Sequence, residues 1–158
     1  MPLLTPEECI EQCRAEPEEA GLLAKLLLAA ESAVAGYLNR SLFATQTELS
    51  EALDALPALA GAAQEAYESA IEAAAQQVNA TAKAMAIAVA EEKLADEKMR
   101  MQRILVGMVV TPRVDAAVRL TLGNLYANRE EVVTGVSAVR LPQGIPELLR
   151  PDRKVMMP

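Results

Sequence analysis

The sequence predicts an all-α protein, a small helical bundle with a long Ala/Glu-rich helical middle and a short extended C-terminal arm. Three observations lead there. The chain of 158 residues is 52% apolar but only 3% aromatic, so alanine, the strongest helix former, supplies much of the apolar count. Apolar residues recur at three- and four-residue steps in the first and last thirds. The middle is an Ala/Glu/Gln-rich run punctuated only by Pro57 and Gly61. So apolar a composition excludes an intrinsically disordered chain. A core so poor in rings has to be thin and closely packed, with Leu, Val, Ile and Met over small alanine contacts.

The elements follow in order. Thr5-Pro6-Glu7-Glu8 supplies an N-cap, a proline for the first helical position and a glutamate that closes a capping box, so a short helix starts here and ends near Arg14. Pro17 starts a second helix whose Leu23, Leu26, Leu27, Ala30, Val34, Tyr37 and Leu38 form one broad stripe, ending at about Asn39-Arg40. After Gly61 the pattern can run unbroken for some forty residues. In it Ile71, Val78 and Met85 stand seven apart, and Tyr67, Ala74, Thr81 and Ala88 occupy the complementary seam. So narrow a stripe needs a partner helix, either the segment near Leu49–Leu59 or a copy of itself in another subunit. Thr111-Pro112 marks a break before a helix over Arg113–Val133, capped by Gly135. Val136–Leu141 alternates apolar and polar residues and predicts one short strand or arm, which needs an edge inside the chain or from another chain. Pro142, Gly144 and Pro146 then turn the chain into a very short helix, Pro146–Leu149.

Charge and residue types narrow the function. The net charge of -7 is uneven: residues 1–43 hold seven acids and three bases, 44–98 ten and three, and 99–158 five and nine. Such polarity suits a protein that stacks head to tail or meets two different neighbours, although an acidic face also serves solubility. No clustered basic stripe with interleaved aromatics points to nucleic-acid binding. The apolar runs Gly21–Ala30 and Ile104–Val110 are too short or too interrupted for the roughly 20 residues of a membrane span, and MPLLTPEECIEQC has acids where a secretory signal has bases. Cys9 and Cys13 share a helix face, but with no His in the chain they predict thiols in a reducing compartment and no metal or other cofactor. Glu91-Glu92 and Glu130-Glu131 point about 100° apart as helix neighbours and read as solvated. Nothing assembles a catalytic constellation, so no enzyme is expected.

Two blocks carry a resemblance. LLTPEECIEQCRAE followed by LLAKLLLAAESAVAGYLNRSLF, and VDAAVRLTLGNLYANREEVVTGVSAVRLPQGIPELLRPDR, resemble the head-to-tail connector (adaptor) proteins of tailed phages and prophages. The second block is the more specific, with its Leu-Tyr-x-Asn-Arg-Glu, Leu-Pro-x-Gly turn, Leu-Leu pair and closing Pro-x-Arg. The blocks cover residues 3–43 and 114–153. The resemblance divides the chain into a discontinuous connector core, residues 1–43 and 114–158, and an Ala/Glu-rich helical insertion, residues 44–113. It makes that stretch a long inserted helical hairpin, which departs from the family pattern and whose role is not carried over.

The resemblance implies a structural virion subunit at the head-tail junction, present in the host cytoplasm during assembly. It would form a ring of roughly twelve copies beneath the portal, extend the DNA channel and receive a tail-side completion or stopper protein. DNA would be passing cargo only, and no membrane is implied. The arm and plug, Val136, Val139, Leu141, Pro142, Ile145, Leu148 and Leu149, are then the expected contacts to portal or sister subunits. Tyr37, Tyr126 and Arg129 are the expected braces of the core, with Tyr126 and Arg129 sharing a helix face against the core or a neighbour. The acidic insertion would line or flank the DNA route, or serve as an acidic outer surface. The competing reading is a free-standing helical scaffold or regulator in which residues 57–105 form a coiled coil.

Overall fold

Thr5, Pro6 and Glu8 set the first helix of the computed structural model, which describes residues 2–128 and 144–155. In α1, Pro6–Cys13, the Thr5 hydroxyl accepts from the Glu8 N–H at 3.2 Å and the Glu8 carboxylate accepts from the Thr5 N–H at 2.8 Å. Arg14 ends the helix in the left-handed region (φ 51°). Pro17–Glu19 form a 3-10 turn that leads into α2, Ala20–Leu38, which Asn39 ends at φ 54°. Asparagine tolerates that conformation better than most residues. The predicted stripe faces inward: Leu23, Leu27, Ala30, Val34 and Leu38 are buried, and Leu26 and Tyr37 pack against their edge. By length and hydropathy alone Pro17–Leu38 would pass as a membrane span. Its stripe is committed instead to a core shared with Leu4, Cys9, Val114, Ala117, Val118 and Leu122.

The chain divides into two compact units, Met1–Thr45 with Met108–Pro158, and Gln46–Gly107. Residues 44, 45 and 108–113, assigned from sequence to the insertion, fold with the first unit. They do so through a parallel pair that sequence reasoning missed: β1, Leu42–Phe43, lies beside β2, Met108–Val109. Met108 N–H donates to Ser41 O at 3.0 Å and Val110 N–H to Phe43 O at 2.9 Å, so the chain leaves and re-enters the unit at one point. Thr111 then caps α5, Pro112–Ala127, whose Val114, Ala117, Val118 and Leu122 complete the core. Of the helix expected over Arg113–Val133, the part to Ala127 is present; residues 129–133, the Gly135 cap and the arm expected over Val136–Leu141 lie outside the described residues. Asn128 leaves helical geometry (φ -113°, ψ 86°), and its side chain donates to Asn124 O at 3.2 Å. The short helix predicted over Pro146–Leu149 is present as α6, Ile145–Leu149, and continues into a 3-10 turn, Arg150–Asp152.

The second unit is a helical hairpin of α3, Gln46–Ala75, and α4, Ala80–Leu105. Pro57 and Gly61 both lie inside α3. The unbroken helix expected after Gly61 is interrupted at Gln76–Asn79, where Asn79 caps α4 by accepting from Thr81 N–H at 2.9 Å and Ala82 N–H at 3.0 Å. The cap resets the helical phase, and the seam changes accordingly. Val78 lies fully exposed in the turn and Met85 points outward at 63% exposure. Tyr67, Ile71 and Ala74 of the predicted seam do turn inward, beside Leu49, Leu56, Ala63 and Ala70 on α3 and Ile87, Ala90, Leu94 and Met101 on α4, whereas Thr81 and Ala88 are exposed. The hairpin's only buried residues are Ala74 and Ala90.

Candidate functional site

The two blocks far apart in sequence meet at the C-terminal end of α2. Residues Tyr37 to Arg40 there grip the tail over 146–154, mainly through the tail's own backbone. The Tyr37 hydroxyl donates to Pro146 O at 3.4 Å, and the Arg153 guanidinium lies 5.0 Å over the Tyr37 ring, a cation–π distance. The turn that Asn39 makes in the left-handed region aims its amide at the tail. Nδ2 donates to Lys154 O at 3.1 Å, while Lys154 N–H donates to Leu38 O at 3.0 Å. Arg40 reaches Asp152 O at 3.3 Å and the Met108 sulfur at 3.4 Å.

From α5, the Arg113 guanidinium stands 3.2 Å from Asp152 Oδ1 and 3.1 Å from Oδ2. Only the first approach has hydrogen-bond geometry, so the solvent-shielded Oδ2 has charge contact alone. Beneath these polar ties Leu149 is wholly buried in the core, with Ile145 at its edge.

A second set of ties in the unit is made by charge. Arg119 donates to Glu8 at 2.7 Å and to Asp115 at 2.8 Å, joining α5 to α1. Accepting from the Thr5 N–H, and then from Arg119, holds the Glu8 carboxyl below its ordinary range, while Asp115 and Glu8 raise Arg119. The Tyr126 hydroxyl donates to Glu19 at 2.6 Å, tying the last turn of α5 to the 3-10 turn before α2. Cys9 is buried and Cys13 half-buried. Burial is the main cause that raises both thiols, so neither is a ready nucleophile.

Tyr37 and Tyr126 therefore each brace the unit, one through the tail and one through Glu19. Ile145, Leu148 and Leu149, named from sequence as contacts to a partner, belong to α6. Of these Leu149 is turned inward and Leu148 is half-buried. Val136, Val139, Leu141, Pro142 and Arg129 lie outside the described residues. Asn39, Arg40 and Arg113 escaped the sequence reading because their acceptors are backbone carbonyls and one remote aspartate. Asn39 followed by Arg40 at a helix end was the available signal. Among the described residues no three His, Cys, Asp or Glu side chains gather closely enough to hold a metal ion. The arrangement closes a helical unit on its own tail. The chain matches no protein-family model, no curated protein and no solved structure.

Proposed function

We propose that this chain is a structural subunit of the head-tail junction of a tailed phage or prophage, forming a ring beneath the portal that joins head to tail and extends the channel for DNA. One observation carries the reading. The two blocks that resemble connector proteins fold into a single unit, tied together by the grip of Tyr37, Asn39 and Arg40 on the tail. The residues between them form a separate hairpin, as an insertion into a common core would. The uneven charge supports a ring in which each subunit shows two different faces to its neighbours. DNA is passing cargo: α3 carries six carboxylates and no base, a surface that offers phosphates nothing to hold.

The test is the absolute mass of the full chain by light scattering, alone and with portal particles. Recruitment as a ring is expected. Changing Val136, Val139 and Leu141 to Asp is expected to abolish it, with Leu149 left intact because it belongs to the core. Recruitment unaffected by those changes sinks the assigned contact, and no recruitment at all sinks the function. A second reading, a helical scaffold, draws support from the exposed Met85, Val89 and Met99 on α4. A persistent dimer indifferent to portals would favour it.

A further inference from the structure

An apolar cleft of about 150 Å³ opens in the first unit between the N-terminal segment, α1 and α2, lined by Leu4, Pro6, Cys9, Leu23, Leu27 and Leu28 among others. Almost none of its wall is polar, and Leu28 at its rim is 60% exposed. A cavity of this size and lining suits one or two aliphatic side chains and does not suit water, which needs polar partners.

The same chain carries an apolar knob in its sequence, residues 155–157. Lys154 is fixed at both its N–H and its carbonyl, by Leu38 and Asn39. Val155, the next residue, is 81% exposed, and Met156 and Met157 follow it in sequence. Methionine adapts its shape to fill irregular apolar space.

We propose that the cleft receives this knob from a second copy of the chain, taking one or two of the three apolar side chains of residues 155–157. Reach keeps the subunit's own tail from filling the cleft. The knob starts beside Leu38, whereas the cleft lies along Ala20–Leu28, about 15 to 27 Å back at the helical rise of α2. Residues 155 to 157 extend no more than about 10 Å from Lys154 and a methionine side chain adds about 5 Å, which ends at the rim by Leu28. Charge favours the exchange between copies. Arg150, Arg153 and Lys154 precede the knob, while α1, which forms one wall of the cleft, exposes Glu7 and Glu11. Knob and cleft are different surfaces, so the contact is heterologous and repeats from copy to copy until a ring closes. The contact rests on the ring reading above, for which it supplies the joint between neighbours.

The experiment measures self-association of the full chain by sedimentation and light scattering, without portal. Two variants accompany it: Ala24→Trp, which fills the cleft from an exposed position on its wall, and the triple change Val155→Asp, Met156→Asp, Met157→Asp. Each is expected to weaken association at least about tenfold, and combining them is expected to add little because both remove one contact. Helix content and melting temperature report whether Ala24→Trp is folded; Leu28→Glu at the rim replaces it if not. Association unchanged in the variants overturns the proposal. A wild-type chain that stays monomeric up to about 100 μM overturns it too, yet leaves the ring reading standing if portals recruit that monomer. Association that depends on knob and cleft but is never recruited by portals supports the contact and sinks the ring reading.

Discussion

Cutting Leu149 back to alanine separates the apolar and polar contributions to tail docking. The side chain is fully buried, so losing its three outer carbons removes about 2.4 kcal/mol of transfer free energy at ~0.8 per carbon. An unrelaxed cavity would raise that toward about 5 kcal/mol. Because α6 has only five residues and can settle inward, a loss of about 3 kcal/mol is expected. Each neutral polar tie of the tail is worth about 0.5–1.5 kcal/mol and a tie from a guanidinium up to about 3, so no single polar tie exceeds Leu149.

The assay is hydrogen exchange at the Lys154 amide, which donates to Leu38 O. A local reporter is needed because a chain of two units has no single unfolding free energy. Protection is expected to fall roughly 100-fold, while the Lys83 amide, bonded to Asn79 O in the hairpin, keeps its rate. A fall of less than about threefold, or an equal fall at Lys83, would refute the account.

Three further outcomes are expected. Glu8 titrates below its ordinary value in the folded state, so its contribution is present above the unfolded value and is lost as pH falls through the lowered folded one; Glu8→Gln should flatten the acid limb of a melting-temperature profile, and an unaltered limb counts against the brace. A methyl group at Gly61 meets nothing within 4 Å, so Gly61→Ala should stabilise the hairpin by up to about 1 kcal/mol in urea unfolding; destabilisation would mean that α3 needs the glycine. Alkylation at neutral pH should be slow at both thiols, reach Cys13 before Cys9 and quicken on unfolding, because burial raises both; rapid labelling of Cys9 contradicts the packing.

The helix starts were legible because each carries its chemistry in adjacent residues. Thr5-Pro6 with Glu8, Pro17 and Thr111-Pro112 all mark observed starts. The stripe of α2 was legible because its leucines contrast in size with the residues between them. In the hairpin that contrast is missing. Alanine occupies inward positions such as Ala63, Ala70 and Ala90 and outward ones such as Ala62 and Ala95 alike, so several registers fit equally well. Only Asn79, a favoured N-cap, signalled the turn. The β pair is two residues long on each side, below any periodic signal. The grip on the tail was hidden for a different reason: Pro146, Asp152 and Lys154 offer backbone carbonyls to it, and every residue has one.

The two units differ in what holds them, and the difference bears on which can serve as a joint. Every large, fully buried side chain among the described residues lies in the first unit, which is also braced by Arg119 and by the tail. The hairpin buries only two alanines. A contact that must hold a fixed angle from copy to copy needs side chains that do not shift when loaded, and close-packed cores supply that rigidity. The first unit meets the requirement, whereas the hairpin, sealed by small residues over long helices, is the part that opens at the least cost in free energy.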